Sequence, residues 1–428
     1  MLKLASVVWL VIFATLVFAQ TPAPPASSGL PPGFGWHRLP NTHMRSVCLG
    51  DVPDGMYADA TMTATKEYSF NCNQIVPWSG GAADDVHQRL IVWGGGHSDY
   101  AGNEVSVLNL KGTPAWERFL PPTMPIPYIG DAKNWEGLKP YFVRPHDGGK
   151  YQPGSSPASR HTYNGLQYVP SQNKLYSFGG SLANVGYLSN EVWTLDMETK
   201  TWTMLGPPYS KSPTFPTTAY NPNNHHIVMH DKDWTLWDYD PDNNKWKVMA
   251  NGIHVDDGTT AAIDPVHNLF VVVGAGGSPG GTSYPSTPAS RTLQVFSTSG
   301  SSMQTWKDSG CDLIYRNGGL AWDSKLGLMV GYPGGGDQVY LLNTSSKDMT
   351  TPFGTVPSHK CLDVAISKKA SPAKGVDYPS DPEGTGHQAN LGIFGRFAYF
   401  PSLDVFVVVN SKDADAWILR LSSAEGTQ

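Results

Sequence analysis

Two short stretches hold the residue types that move protons: His97-Ser-Asp-Tyr100 and Ser159-Arg-His-Thr-Tyr163. The imidazoles of His97 and His161 and the phenols of Tyr100 and Tyr163 can serve as base and acid when held against a substrate. Groups able to receive an anion stand at Arg160, Arg316, Arg396 and His230. Removing a proton beside a carboxylate needs these functions together. The anion must be neutralised, the proton taken, and the departing oxygen protonated.

What must position these residues is a repeat. The clearest copy reads Lys174-Leu-Tyr-Ser-Phe-Gly-Gly180, then Asn190-Glu-Val-Trp-Thr-Leu-Asp196, then Lys200-Thr-Trp-Thr-Met204. Each run is too short and too rich in β-branched or aromatic residues for a helix, and Gly, Pro, Asn and Asp separate the runs. Second strands are expected at 90–93, 175–178, 227–229, 269–273, 328–330 and 405–409, and third strands at 104–110, 191–196, 235–240, 292–296, 338–343 and 416–421. Fourth strands centre on Trp116, Trp202, Trp246 and Trp306; the fifth copy offers only 349–353, and the sixth ends without one. The missing strand is expected at the other end of the chain, in Gly35-Trp36-His37-Arg38-Leu39. Four short strands cannot bury their own faces, so the copies must stack, and a closed ring leaves no long edge exposed.

The Gly-Gly after strand two, the Asn-Glu-Val opening strand three and the later Trp resemble the kelch motif, over roughly 35–421. The resemblance implies an all-β, kelch-type β-propeller with six clear blades and room for a seventh in either long insertion. Within that fold, Trp93-Gly-Gly-Gly-His-Ser-Asp-Tyr-Ala-Gly-Asn-Glu104 with Ser159-Arg-His-Thr-Tyr163 resembles a group of secreted bacterial kelch proteins. It is also similar to the propeller ulvan lyases and, more distantly, to galactose-oxidase-type propellers. For the residues above this implies β-elimination on a uronic-acid-containing polysaccharide. Fold alone does not name a function.

Composition agrees with a turn-rich all-β chain: 45 Gly, 35 Pro and 14 Trp in 428 residues, with 15% charged. The net charge of −6 argues against a nucleic-acid partner while leaving room for a local cationic site. Residues 1–19 have the form of a secretory signal, with Lys3, an apolar core and Val17-Phe18-Ala19 before the cut. Residues 20–32 read as a Pro/Ala-rich linker, 33–421 as the propeller and 422–428 as a tail. The expectation is a secreted or periplasmic monomer, with no membrane association after signal cleavage. Four cysteines in such a chain suggest two disulfides, with Cys48–Cys72 and Cys311–Cys361 the favoured pairs.

In a propeller, the connections into strand one and the turns between strands two and three share one face. Two long insertions, about 121–157 and 352–392, would emerge there beside His97, Tyr100, His161, His230 and the arginines. A blander role is open to each residue. Arg and His at strand starts can instead hold blades together by bonding carbonyls, and Asp99 and Asn103 can close a turn. Glu104 and Glu191 recur with the repeat and read as structural. His225, His226 and His267 belong to turns on the opposite face.

Gly276-Gly-Ser-Pro-Gly280 matches a serine-hydrolase elbow by letters alone, without the strand-to-helix context. Asp238-Tyr-Asp240-Pro-Asp242 hints at a structural calcium ion but lacks the rest of a calcium loop, and no other cofactor is expected. No carboxylate pair stands out for a hydrolase. The competing expectation is a non-catalytic glycan- or protein-binding propeller, using aromatic loop residues Tyr128, Trp135, Tyr141 and Tyr151.

Overall fold

The computed structural model describes residues 29–48, 76, 78–95, 102–123, 126–127, 142–143, 146–147, 150–151, 156–182, 188–206, 215–231, 235–252, 258–274, 293–300, 303–306, 309–311, 318–369, 379 and 392–422. Six four-stranded antiparallel sheets form a ring, the β-propeller expected from the repeat. Blade one holds Gly81–Asp84, Arg89–Val92, Val105–Asn109 and Ala115–Leu120, counted from the axis outward. Blades two to five begin at Leu166–Val169, Thr217–Tyr220, Thr260–Asp264 and Gly319–Asp323. Blade six begins at Phe397–Phe400, continues through Val405–Val408 and Trp417–Arg420, and is completed by Gly35–Arg38 from the N-terminal side. These six innermost strands pack on one another in sequence, and that of blade one touches both blade two and blade six. The ring therefore closes at six. Between residues 121 and 157 the described strands are two-residue pieces, not a seventh blade.

The core lies between blades, because each sheet is apolar on both faces. Trp93, Val105 and Val107 of blade one pack against Leu166, Leu175, Trp193 and Trp202 of the next, all nearly inaccessible to water. The closing strand places Trp36 among Leu328, Val330 and Tyr332 of blade five and Phe406 and Leu419 of its own blade. Its continuation is pinned as well. Thr42 accepts a hydrogen bond from Trp116 Nε1 (2.8 Å) through its carbonyl, while its N–H donates to Asp415 (2.8 Å).

One strand differs from expectation. The fourth strand of blade five is Cys361–Ala365, paired with Gln338–Leu342, and not the stretch at 349–353. Met349–Thr351 instead pairs with Gly354–Val356 as a hairpin inserted between strands three and four. The second long insertion is accordingly divided. The hairpin stays at blade five, and only the chain beyond residue 365 leads into blade six.

The Cys311–Cys361 bridge is present, with Cα atoms 5.5 Å apart, and joins the start of that fourth strand to the segment after blade four. Cys48 is also disulfide-bonded; its expected partner Cys72 lies outside the described residues. No helix among the described residues is long and apolar enough to cross a membrane.

Candidate functional site

In the blades whose entry is described, the chain turns a tight corner two or three residues before the innermost strand begins. In five blades the corner residue is described, and in all five it has positive φ: Trp78 (54°), Tyr163 (48°), Phe215 (54°), Gly258 (77°) and Phe394 (45°). This left-handed region costs an ordinary side chain about 1–2 kcal/mol, and a bulky residue there is an outlier. Four of these five corners nevertheless hold an aromatic residue. The fit is tight: a Cβ on Gly80 would stand 2.3 Å from the Tyr163 carbonyl oxygen, so only glycine lets the corners of blades one and two meet.

Four residues past each corner stands the residue that sets how closely the inner strands approach the axis. It is Ala82, Ala219, Ala262 and Ala398 in blades one, three, four and six, with Ala321 in the same place in blade five. These small side chains leave a central channel of about 310 Å³. Blade two carries Gln167 instead. Its amide donates to the Thr218 carbonyl (3.0 Å) and accepts from Tyr220 N–H (3.1 Å), bridging to the inner edge of blade three.

The corner rings gather on the face that carries the connections into strand one, beside Asn164 and Gly395 of the channel lining. Tyr163 is the hub. Its ring centroid lies 4.6 Å from Phe215, 6.0 Å from Phe394, 6.1 Å from Trp78 and 5.8 Å from His161. Tyr163 and His161 are only 4% and 3% exposed, whereas Trp78 and Phe215 are half-buried. The Tyr163 hydroxyl and His161 Nδ1 are 3.5 Å apart, at the outer limit of a hydrogen bond. Blade one braces this stretch: Tyr163 N–H donates to the Trp78 carbonyl (2.7 Å) and Gly80 N–H to Thr162 Oγ1 (2.9 Å).

The structure thus brings together two of the expected proton-transfer residues, His161 and Tyr163. Arg160 and Arg396 occupy different surroundings. Arg160 is fully buried, and its guanidinium donates to the Ala158 and Gly179 carbonyls, Ser189 Oγ and Glu191 Oε2 (2.9 Å). Glu191 also accepts from Trp193 Nε1 (2.9 Å), the structural part its recurrence suggested. Arg396 donates to the carbonyls of Val76, Ser79, Gly392 and Val409. Burial pushes its pKa down to about 9, so it remains a cation at neutral pH and is held by four carbonyl dipoles. Both arginines are engaged by the frame in the way the blander reading describes.

His230, 2% exposed, ends the second strand of blade three opposite Thr217, with its ring 6.4 Å from that of Phe296 in blade four. His97, Tyr100 and Arg316 lie outside the described residues, as do Tyr128, Trp135 and Tyr141; of Tyr151 only the backbone is described. Asn103 ties the ends of the first insertion, donating to the Pro157 carbonyl (3.0 Å) and accepting from Thr123 N–H (2.9 Å). On the opposite face, His226 and His267 each meet a carboxylate, Asp238 at 2.8 Å and Asp264 at 2.6 Å. Asp240 accepts from the N–H groups of Asp242 and Asn243, which makes the acidic run a turn. Among the described residues no three His, Cys, Asp or Glu side chains gather where they could hold a metal ion.

Trp78, Phe215 and Phe394 were not among the residues expected at the site. Their signal is positional: Trp78-Ser-Gly-Gly, Tyr163-Asn-Gly-Leu, Phe215-Pro-Thr-Thr and Phe394-Gly-Arg-Phe align only once the blade register is known. No known protein family and no curated protein matches the chain.

Proposed function

We propose that the protein is an exported propeller acting on uronic-acid-containing polysaccharide by β-elimination, with its site at the cluster of corner aromatics. The observation that supports this reading most directly is the pairing of Tyr163 with His161. In β-elimination a base takes the proton on the carbon beside the carboxylate. The electron pair forms a carbon–carbon double bond, the glycosidic carbon–oxygen bond on the next carbon breaks, and the departing oxygen takes a proton. A phenol beside an imidazole suits both transfers, since either group can pass a proton to the other. Export is part of the proposal, supported by the Cys311–Cys361 bridge and the signal-like N-terminus.

A second reading, non-catalytic glycan binding, is favoured by a different observation. Tyr163 and His161 are almost wholly buried, and the guanidiniums of Arg160 and Arg396 are taken up by the frame. One experiment separates the two. The purified protein is incubated with a panel of uronate-containing and neutral polysaccharides, following both binding and the ultraviolet absorbance of unsaturated uronates. New absorbance supports the lyase; binding without it supports the second reading; neither response rejects both.

A further inference from the structure

The corner aromatics carry a cost that blade architecture does not demand. Blade four makes the same corner with Gly258, so the backbone path needs no ring there. A stability-driven choice at such a φ is glycine or asparagine. Filling space accounts for Tyr163 and Phe394, which are 4% and 0% exposed. It accounts less well for Trp78 and Phe215. Both keep part of their surface open to solvent while their backbones sit at φ 54°. Bulky, partly exposed residues held in costly conformations point to a role other than stability.

We infer that Trp78 and Phe215, flanking the buried Tyr163, form a stacking platform for the apolar face of a sugar ring. The geometry fits that use. Their centroids stand 6.1 and 4.6 Å from Tyr163, so the two rings come from blades one and three onto a single hub. Trp78 also lies 6.3 Å from His161, so a ring seated on it would come close to the His161–Tyr163 pair. An indole offers a broad polarisable face to axial C–H groups, and its two side-chain torsions lose little entropy on binding. Blades four and six differ at this level, with no side chain at Gly258 and Phe394 fully buried, so the platform is a crescent and not a full ring. The assignment rests on the carbohydrate reading of this face but holds whether or not the glycan is cleaved.

The test measures two properties of Trp78→Gly and Phe215→Gly in the full chain. Calorimetric titration with glucuronate-containing oligosaccharides, and with uncharged gluco-oligosaccharides of equal length, reads binding. Thermal unfolding reads stability. Glycine relieves the positive φ as it removes the ring, so each variant should lose at least tenfold in affinity while Tm stays within roughly 2 °C of the parent or rises. Trp78→Asn and Phe215→Asn, which also tolerate the left-handed region, repeat the measurement should a glycine variant not fold. Wild-type affinity retained within twofold in both glycine variants overturns the platform alone. A large loss of Tm in the glycine and asparagine variants alike makes the rings structural and also overturns it. A wild-type protein that binds none of the oligosaccharides rejects the carbohydrate reading, and the platform with it.

Discussion

Trp36 stands in register with Leu419, so a strand near the start of the chain and one near its end complete a single blade. The Trp36 indole reaches further, donating to the Asp337 carbonyl (3.3 Å) at blade five. Deleting residues 33–40 would expose the edge of Trp417–Arg420 and empty the apolar site that Trp36 fills. The truncated protein should aggregate, or melt far below the parent in a thermal scan. Equal melting would show that the closing strand is dispensable.

Arg160 and Glu191 form a buried ion pair at the blade two corner, with the Arg160 side chain fully enclosed. Arg160→Met should cost about 3–5 kcal/mol in denaturant unfolding, because it strands a carboxylate away from water. Adding Glu191→Gln should recover part of that loss. An Arg160→Met protein as stable as the parent, with impaired glycan binding, would return this arginine to the ligand.

The Cys311–Cys361 bridge closes a separation of 50 residues, for which chain entropy gives about 4 kcal/mol. Cys311→Ser should lower stability by an amount of that order. Thiol titration of the denatured, unreduced protein should find no free cysteine. Two free thiols would contradict the expected second pair and revive a redox or metal role for those residues.

Asp413 receives hydrogen bonds from Arg45 and Lys412, and its pKa is pushed from 3.8 to about 2, chiefly by the Arg45 bond. A carboxyl whose folded pKa is depressed stabilises the protein above its unfolded pKa, near 4, and loses that contribution as pH falls through about 2. Between pH 4 and 2, Tm should therefore fall more steeply in the parent than in Asp413→Asn. Parallel curves would show that this pair does not help fasten the N-terminal segment to blade six.

Much of the fold was legible because short runs of β-branched and aromatic residues between turn residues are a local signal. Strands two and three of every blade, the closing strand at Trp36 and the Cys311–Cys361 bridge could each be read from residue type and spacing. The fourth strand of blade five could not. The inserted hairpin mimics a strand at Met349–Thr351 and pushes the real one, Cys361–Ala365, out of the repeat interval. The site was legible only in part. Adjacency in sequence marked His161 and Tyr163, but it could not reveal that Arg160 turns inward to Glu191 while Arg396 turns to backbone carbonyls. The aromatic cluster itself depends on a backbone angle shared by Trp78, Tyr163, Phe215 and Phe394, which no single stretch announces.

The most direct test of the proposed activity is Tyr163→Phe assayed for unsaturated uronate release from a polysaccharide the parent cleaves. The substitution keeps the ring that packs against Phe215 and Phe394 and removes only the hydroxyl facing His161. We expect Tm and polysaccharide binding to be preserved while turnover falls about 100-fold or more, the scale of a lost proton-transfer group. Undiminished turnover in Tyr163→Phe, or no release by the parent from any uronate-containing polysaccharide, would contradict the proposal.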